Sequence, residues 1–294
     1  MCLLSPRKPP EFRTDEIITN PDTPVYTSIP DVHNNHSSIS SYNAGTKIIR
    51  HGDPIQLNFG GFVPLSTVDW RGRSVCTVFL RGCPIRCTYC QNAALLSGTD
   101  LREIDDIKEL IRGSLFAVSG VVFSGGEPTM QKEALLSLAR GSKEMGLVVG
   151  IQTNGVFPDT LDALIGEGIV DRVALDIKAR WARYNNLIKG NYVSHVQRTL
   201  ALCKEAHKKG RLPEFEVVIT LFRGYEDEVP IIAREAGDVD IVLQQGVTGE
   251  VLPLSEAEMK KIADSLERGV KIRTREGGEI FYEGDRSRRA PRKR

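Results

Sequence analysis

The feature that most constrains the fold is a regular alternation of short apolar runs with amphipathic segments from about Ser74 onward. The apolar runs end at Gly or at polar residues, which is typical of strands buried in a parallel sheet. Several amphipathic segments begin at Asp, Ser or Pro and end at Gly, as capped helices do. Six alternations predict an α/β sheet or partial barrel, with its chemistry at the carboxyl ends of the strands. The predicted strands are residues 74–80, 120–126, 146–155, 169–178, 215–220 and 239–246, with 270–274 as a further candidate, and the predicted helices are 100–116, 130–146, 158–168, 194–210, 226–237 and 255–269.

The chain of 294 residues is long enough for one large barrel domain with tails. Residues 1–58 are rich in Pro, Ser, Asn and Thr over most of their length and show no strand or helix periodicity, so we predict a largely disordered N-terminal extension. The barrel domain is predicted over residues 59–285. Residues 286–294 form a basic tail, for which a solvated terminus is the ordinary interpretation and binding to nucleic acid or to an acidic partner is the alternative.

The charges of the chain nearly cancel, with 39 Lys and Arg against 38 Asp and Glu. No global field therefore attracts it to nucleic acid or to anionic lipid. No apolar run approaches the roughly 20 residues that cross a bilayer, and the N-terminus lacks the apolar core of a signal peptide. We therefore expect a soluble cytoplasmic protein without a membrane partner, in a reducing compartment where clustered thiols bind metal more often than they form disulfides.

The most specific chemical feature is the loop RGCPIRCTYCQN, which holds three of the six cysteines. Cys83, Cys87 and Cys90 are separated by three and then by two residues. A structural zinc ion takes four ligands, usually as two closely spaced pairs, and the second pair is missing here. The nearby Cys76 lies inside a predicted strand, where a free cysteine packs in the core. Three thiolates on one loop instead fit a four-iron cluster whose fourth corner is left to a ligand that is not protein.

A second motif, GGEPT, spans Gly125–Thr129 and directly follows the second predicted strand. Together with the cysteine spacing and Tyr89 just before the last cysteine, it resembles the signature of radical S-adenosylmethionine (radical SAM) enzymes. The resemblance implies a partial (β/α)6 barrel with a [4Fe-4S] cluster held by the three cysteines, and S-adenosylmethionine bound to the unique iron. It also implies that one-electron reduction cleaves this cofactor to a 5'-deoxyadenosyl radical, while the protein supplies orientation and excludes water.

The same resemblance implies which residues contact the cofactor. The backbone of Gly125, Gly126 and Glu127 is expected at the methionyl ammonium group, where glycine permits a close approach. Tyr89 is expected to stack on adenine, with a role as a core aromatic as the plain alternative.

Further contacts are expected from the ends of the third and fourth strands. Asp176 and Lys178 are one residue apart and therefore point to the same side, with a surface ion pair as the alternative. Thr153 and Asn154 follow Gln152, which stands where related activating enzymes often carry Asp. This neutral side chain argues against a monovalent cation beside the cofactor carboxylate.

The segment from Gly61 to Asn92 resembles the opening of glycyl-radical activating enzymes, in particular the anaerobic ribonucleoside-triphosphate reductase activating proteins. Gln91 stands where those proteins usually carry His. The resemblance covers about residues 60–280 and implies abstraction of a backbone glycine hydrogen in a partner such as anaerobic ribonucleotide reductase. It also implies a flavodoxin- or ferredoxin-type electron donor. No side chain is expected to act as a catalytic acid or base.

Two alternatives stay open at this point. A radical SAM enzyme could act on a tRNA base or on a nucleobase precursor, for which the basic tail is the distinctive support. A non-catalytic iron-sulfur or zinc protein could carry electrons or hold a partner, although the GGEPT motif is unnecessary for that role.

Overall fold

The computed structural model describes residues 55–247 and 252–284. The predictions for the N-terminal extension up to residue 54 and for the basic tail lie outside these residues. The first strand begins at Gln56, so residues 56–58 belong to the sheet, and the predicted extension is too long at this end. The strands are β1 (Gln56–Ser66), β2 (Val75–Leu80), β3 (Leu101–Glu103), β4 (Gly120–Gly125), β5 (Val148–Thr153), β6 (Arg172–Asp176), β7 (Glu214–Leu221), β8 (Asp240–Gln245), β9 (Val270–Thr274) and β10 (Gly278–Tyr282).

The strands form one sheet in the order β10-β9-β8-β7-β6-β5-β4-β2-β1-β3. From β2 through β4 to β9, all neighbouring strands pair in parallel. The strands β1, β3 and β10 add antiparallel pairs at the two ends. All six predicted strands are confirmed, and so is the candidate at residues 270–274. The three antiparallel strands were not predicted, because none of them is a continuous apolar run.

Helices connect the parallel strands, and all six predicted helices are found. The segment from Asp100 was predicted as helical from its first residue, but Leu101–Glu103 pairs with β1 as a strand instead. One helix was not predicted at all, because two asparagines and a short apolar stripe weaken its pattern. The helices are α1 (Ile104–Gly113), α2 (Lys132–Glu144), α3 (Pro158–Gly166), α4 (Trp181–Ile188, the unpredicted one), α5 (Val193–Lys208), α6 (Val229–Ala236) and α7 (Glu256–Ala263).

The parallel strands are buried on both faces, as their apolar sequences require. Along β4, Val121 and Phe123 belong to the large apolar cluster that the sheet shares with the helices. Between them, Val122 belongs to a small separate cluster with Trp70 and Val75. Since successive side chains of a strand point to opposite faces, this second cluster lies on the concave side of the sheet.

The sheet curls far enough for the β1–β2 turn to reach strands that lie across it. The indole Nε1 of Trp70 donates to Glu214 Oε2 on β7 at 3.0 Å. The guanidinium of Arg71 donates to the backbone carbonyl of Glu279 on β10 at 2.9 Å. These contacts bring the two ends of the sheet toward each other, which gives the predicted partial barrel. None of the helices described here is long and apolar enough to cross a membrane.

Candidate active site

A cavity of about 220 Å³ opens at the carboxyl ends of the parallel strands. The residues that the sequence predicted for the site come from the loop after β2 and from the ends of β4, β5 and β6, which the parallel topology brings to one edge of the sheet. The cavity is lined by all of them: Cys83, Cys87, Tyr89, Cys90, Gly125, Gly126, Glu127, Thr153, Asn154, Asp176 and Lys178.

The cysteine loop is held in place by its own backbone contacts and by α4. The amide of Arg86 donates to the carbonyl of Ile188 at the end of α4, at 3.0 Å. The Arg86 guanidinium donates to the carbonyl of Cys83, and Asn154 Nδ2 lies 3.5 Å from the Cys83 sulfur. The helix that the sequence did not reveal therefore supports the loop that carries the cysteines.

The chemistry of these thiols fits an iron-sulfur cluster. Burial raises the pKa of Cys83 to about 12 and that of Cys87 to about 11. A thiolate is the form that binds metal, so holding one here requires a compensating positive charge, which iron supplies. Within the described ranges, no three His, Cys, Asp or Glu side chains are grouped to hold a single metal ion. The thiolates of a four-iron cluster each bind a different iron and need no such grouping.

The other described cysteines lie apart from the loop. Cys76 and Cys203 are completely buried in the apolar core, as expected for Cys76 from its place in a strand. Cys2 lies outside the described residues.

Gly125, the last residue of β4, and Gly126 pack directly against the end of β2 and the residues that follow it. A Cβ atom on Gly126 would lie 2.1 Å from the carbonyl oxygen of Gly82, and one on Gly125 would lie 2.2 Å from that of Leu80. Gly125 also has a φ of +124°, which other residues rarely adopt. The need for glycine therefore arises from packing against β2, whereas contact with a methionyl ammonium group stays a prediction.

The Glu127 carboxylate is buried and fully bonded within the protein. Its Oε1 atom accepts hydrogen bonds from the amide and hydroxyl of Thr129 and from the hydroxyl of Thr153. Its Oε2 atom accepts one from the amide of Asn154 at 2.7 Å. Burial raises the pKa of Glu127 although these bonds oppose the rise. The carboxylate thus fixes the end of β5 against the end of β4, and any contact with a ligand is left to its backbone.

The pair at the end of β6 points into the cavity. Lys178 Nζ lies 2.6 Å from Asp176 Oδ2. Burial alone would lower the pKa of Lys178, but interactions with Asp176, Tyr89 and Cys87 together outweigh it, and the pKa is raised well above its ordinary value. The other oxygen, Asp176 Oδ1, is buried without a hydrogen-bond partner in the described structure. A buried unpaired carboxylate oxygen is costly, so this atom is suited to accept a hydrogen bond from a bound ligand.

Tyr89 packs between neighbours of its own chain as well as lining the cavity. Its ring centroid lies 4.4 Å from that of Phe222, and the ammonium of Lys178 lies 5.8 Å from the same ring. These contacts match the alternative role as a packed aromatic. Stacking on adenine stays a prediction.

The inner wall of the cavity holds Gln152 together with polar residues that the sequence did not single out. Ser124 Oγ donates to Gln152 Oε1 at 2.8 Å, so this neutral amide is held by a neighbouring strand. Thr220, Gln244 and Arg273 line the same wall from β7, β8 and β9. The alternation of side chains along a strand predicts which face each of these residues occupies, but only the curvature of the sheet brings the three side chains together.

Fold and site define a radical SAM enzyme, and residues 77–236 match the Radical SAM superfamily model. The chain belongs to this superfamily and uses a [4Fe-4S] cluster and S-adenosylmethionine. When bound, a reduced cluster would supply the electron for reductive cleavage of S-adenosylmethionine, which provides carbon-radical chemistry. The cavity residues fit both groups: three thiols lie on an anchored loop, and an unpaired carboxylate oxygen lies in the same cavity.

Known proteins narrow the class further. The chain is 32% identical over 239 residues to a Methanocaldococcus jannaschii protein whose name gives glycyl-radical enzyme activation as an unproven activity; the match covers 74% of this chain and 96% of that one. It is 33% identical over 152 residues to pyruvate formate-lyase 1-activating enzyme of Escherichia coli, covering 49% of this chain and 59% of that enzyme. A solved structure of TYW1 with a lysine-pyruvate adduct shares the fold, with a TM-score of 0.52, 17% identity, and coverage of 71% of this chain and 80% of that one. The protein is thus a radical SAM enzyme close to the glycyl-radical activating enzymes.

Proposed function

We propose that this protein installs a glycyl radical in a partner enzyme such as anaerobic ribonucleotide reductase. The observation that carries the proposal is the match to nearly the whole length of an archaeal relative whose name gives this activity. The inner wall of the cavity is compatible with a polypeptide substrate, since hydroxyl and amide side chains such as Thr220 and Gln244 can hydrogen-bond to peptide groups.

In this proposal the chain binds and orients, and no side chain acts as an acid or base. Cys83, Cys87 and Cys90 hold the cluster. The backbone at Gly125, Gly126 and Glu127 meets the methionyl ammonium group, and the ends of β5 and β6 make the remaining cofactor contacts. With S-adenosylmethionine bound, one electron from the donor and one hydrogen atom from the glycine α carbon would convert it to 5'-deoxyadenosine and methionine, and the glycine would keep the unpaired electron. A cytoplasmic flavodoxin or ferredoxin supplies the one electron per event.

The test is anaerobic and follows one hydrogen atom. The protein is reconstituted with iron and sulfide, reduced, and incubated with S-adenosylmethionine and a candidate glycyl-radical enzyme that is deuterated at glycine α carbons. We expect 5'-deoxyadenosine that carries deuterium, and a glycyl doublet in the electron paramagnetic resonance spectrum of the partner.

Cys87→Ala should lower both signals by at least about 1,000-fold, because a cluster ligand is lost. Cys203→Ala is the matched control, since this thiol is buried in the core away from the loop. It should keep its iron and its activity. Deuterium-free 5'-deoxyadenosine with every glycyl-radical enzyme, together with turnover of a tRNA or a nucleobase precursor, would replace this proposal by the nucleobase alternative.

A further inference from the structure

A second cavity of about 250 Å³ lies beside the cofactor cavity, between the β1–β2 turn and the β9–β10 hairpin. We call it the annex and define it by Arg71, Gln91, Gln244, Gln245, Arg273 and Arg275. Three of these residues, Gln91, Gln244 and Arg273, also line the cofactor cavity. A molecule that reaches the cofactor through this side therefore passes the annex.

The annex carries more positive charge than Glu279, the one carboxylate among its lining residues, can balance. Arg273 donates to Glu279 Oε2 through both Nε and Nη2, at 3.0 and 2.7 Å, so this pair is neutral. Arg71 is fixed by a bond to the backbone carbonyl of Glu279, and no carboxylate of the described chain pairs with it. The Arg275 side chain likewise has no ion-pair partner among the described residues, although its amide donates to Gln245 Oε1.

The neutral groups of the annex suit a peptide. Gln244 uses its carbonyl oxygen for Arg273, which leaves its amide nitrogen available. Gln91 is exposed and lines both cavities. A carboxamide can both donate to and accept from a peptide group. No aromatic side chain lines the annex, so it lacks the surface on which single-stranded nucleic acids stack their bases.

We propose that the annex binds the polypeptide segment beside the reacting glycine, and that acidic side chains of this segment pair with Arg71 and Arg275. The inference rests on the proposed function, because it takes the substrate to be a protein. Guanidinium groups bind carboxylates through paired hydrogen bonds, and the bond from Arg71 to β10 holds one of them in a fixed position. Charge at the entrance thereby selects which glycine loop enters.

The test compares three fluorescein-labelled peptides of 13 residues with one central glycine. They differ only at two flanking positions, which hold Glu, Gln or Lys. Binding is measured anaerobically by fluorescence anisotropy, on the reconstituted protein with S-adenosylmethionine and without reductant. We expect the Glu peptide to bind most tightly, and added salt to weaken its binding.

Arg71→Gln and Arg275→Gln should each weaken binding of the Glu peptide by about threefold, and by about tenfold together, because both pairs are exposed. Binding of the Gln peptide should not change. Arg275→Gln is the cleaner variant, since no other contact of its side chain is lost. Arg275→Glu should shift the preference toward the Lys peptide. Arg211→Gln is the matched control, because Arg211 is exposed and precedes the amino end of β7, at the edge of the sheet opposite the cavities.

Equal binding of the three peptides, absence of binding, or a Glu preference that survives the double substitution would overturn the annex proposal. So would tighter binding of a single-stranded RNA that depends on the same two arginines. The proposed function is tested separately. If a Glu peptide binds through Arg71 and Arg275 but no glycyl-radical enzyme transfers deuterium, the annex proposal stands and glycyl-radical installation is ruled out.

Discussion

Two buried glutamates of the same barrel, Glu127 and Glu216, are stabilised by different kinds of partner. Glu127, at the carboxyl edge of the sheet, is surrounded by neutral donors, and its pKa is raised by burial. Glu216, inside the barrel on β7, pairs with Arg172 and with Lys271 Nζ at 3.1 Å, and Arg273 lies 3.7 Å away. Burial alone would raise the pKa of Glu216, but these three cations outweigh it and the pKa is lowered.

The difference separates the part of the barrel that supports the fold from the part that is open to ligands. The charge of Glu216 is balanced by cations of the same chain, so this network needs no ligand. At the carboxyl edge, Asp176 Oδ1 is buried without a partner in the described structure, and the thiols of Cys83 and Cys87 need positive charge to ionise. A buried polar group left unsatisfied in a folded protein calls for an explanation, and a bound ligand is one.

The largest effect is expected from Glu216→Gln. The substitution removes the one carboxylate of the described chain that pairs with the buried Arg172, while Lys271 keeps Asp240 and Arg273 keeps Glu279. The free energy of unfolding should therefore fall by about 3–5 kcal/mol. Urea denaturation of the apoprotein measures this loss. The folded fraction should bind iron and form 5'-deoxyadenosine at the wild-type rate.

The control is Glu205→Gln, which removes an exposed partner of Lys209 and should leave the stability unchanged. If Glu216→Gln were instead as stable as the wild type, the charge network would not stabilise the fold.

A smaller loss of stability, about 2 kcal/mol, is expected from Glu127→Gln, because an amide nitrogen cannot accept the bond from the Asn154 amide. This variant should also bind S-adenosylmethionine more weakly, since Thr153 and Asn154 lose the group that fixes them. Isothermal titration of the reconstituted protein measures the affinity. Glu133→Gln, an exposed change at the start of α2, is the control. Unchanged affinity for S-adenosylmethionine would mean that the bonds of Glu127 at the carboxyl edge contribute no more to ligand binding than the interior network does.

The smallest effect is the acid response of the Glu216 network. Because its folded pKa lies below the ordinary value of 4.5, the ionised form stabilises the fold above that value, and this contribution is lost as the pH falls through the lowered pKa. The stability gap between the wild type and Glu216→Gln should therefore narrow between pH 6 and pH 3. Urea curves at unit steps of pH measure it. A gap that widens on acidification would contradict the lowered pKa.

Much of the fold could be predicted because local patterns carry it. Continuous apolar runs identified all the parallel strands, and capped amphipathic segments identified six helices. The antiparallel strands β1, β3 and β10 are partly exposed and lack such runs, so their pairing depends on neighbours that the pattern does not show. Helix α4 was not predicted because Trp181, Tyr184 and Ile188 form only a short apolar stripe. In the structure these side chains pack in the same apolar cluster as the cysteine loop.

The sequence by itself determined the superfamily and the positions that meet in the cavity, since the cysteine spacing and the ends of parallel strands need no knowledge of distant contacts. Tertiary structure alone decided why Gly125 and Gly126 are required, how Glu127 is used, and which polar residues form the inner wall and the annex. The physical reason is that alternation within a strand fixes the face of each side chain. The curvature that joins the β1–β2 turn to β10 fixes which of these faces meet.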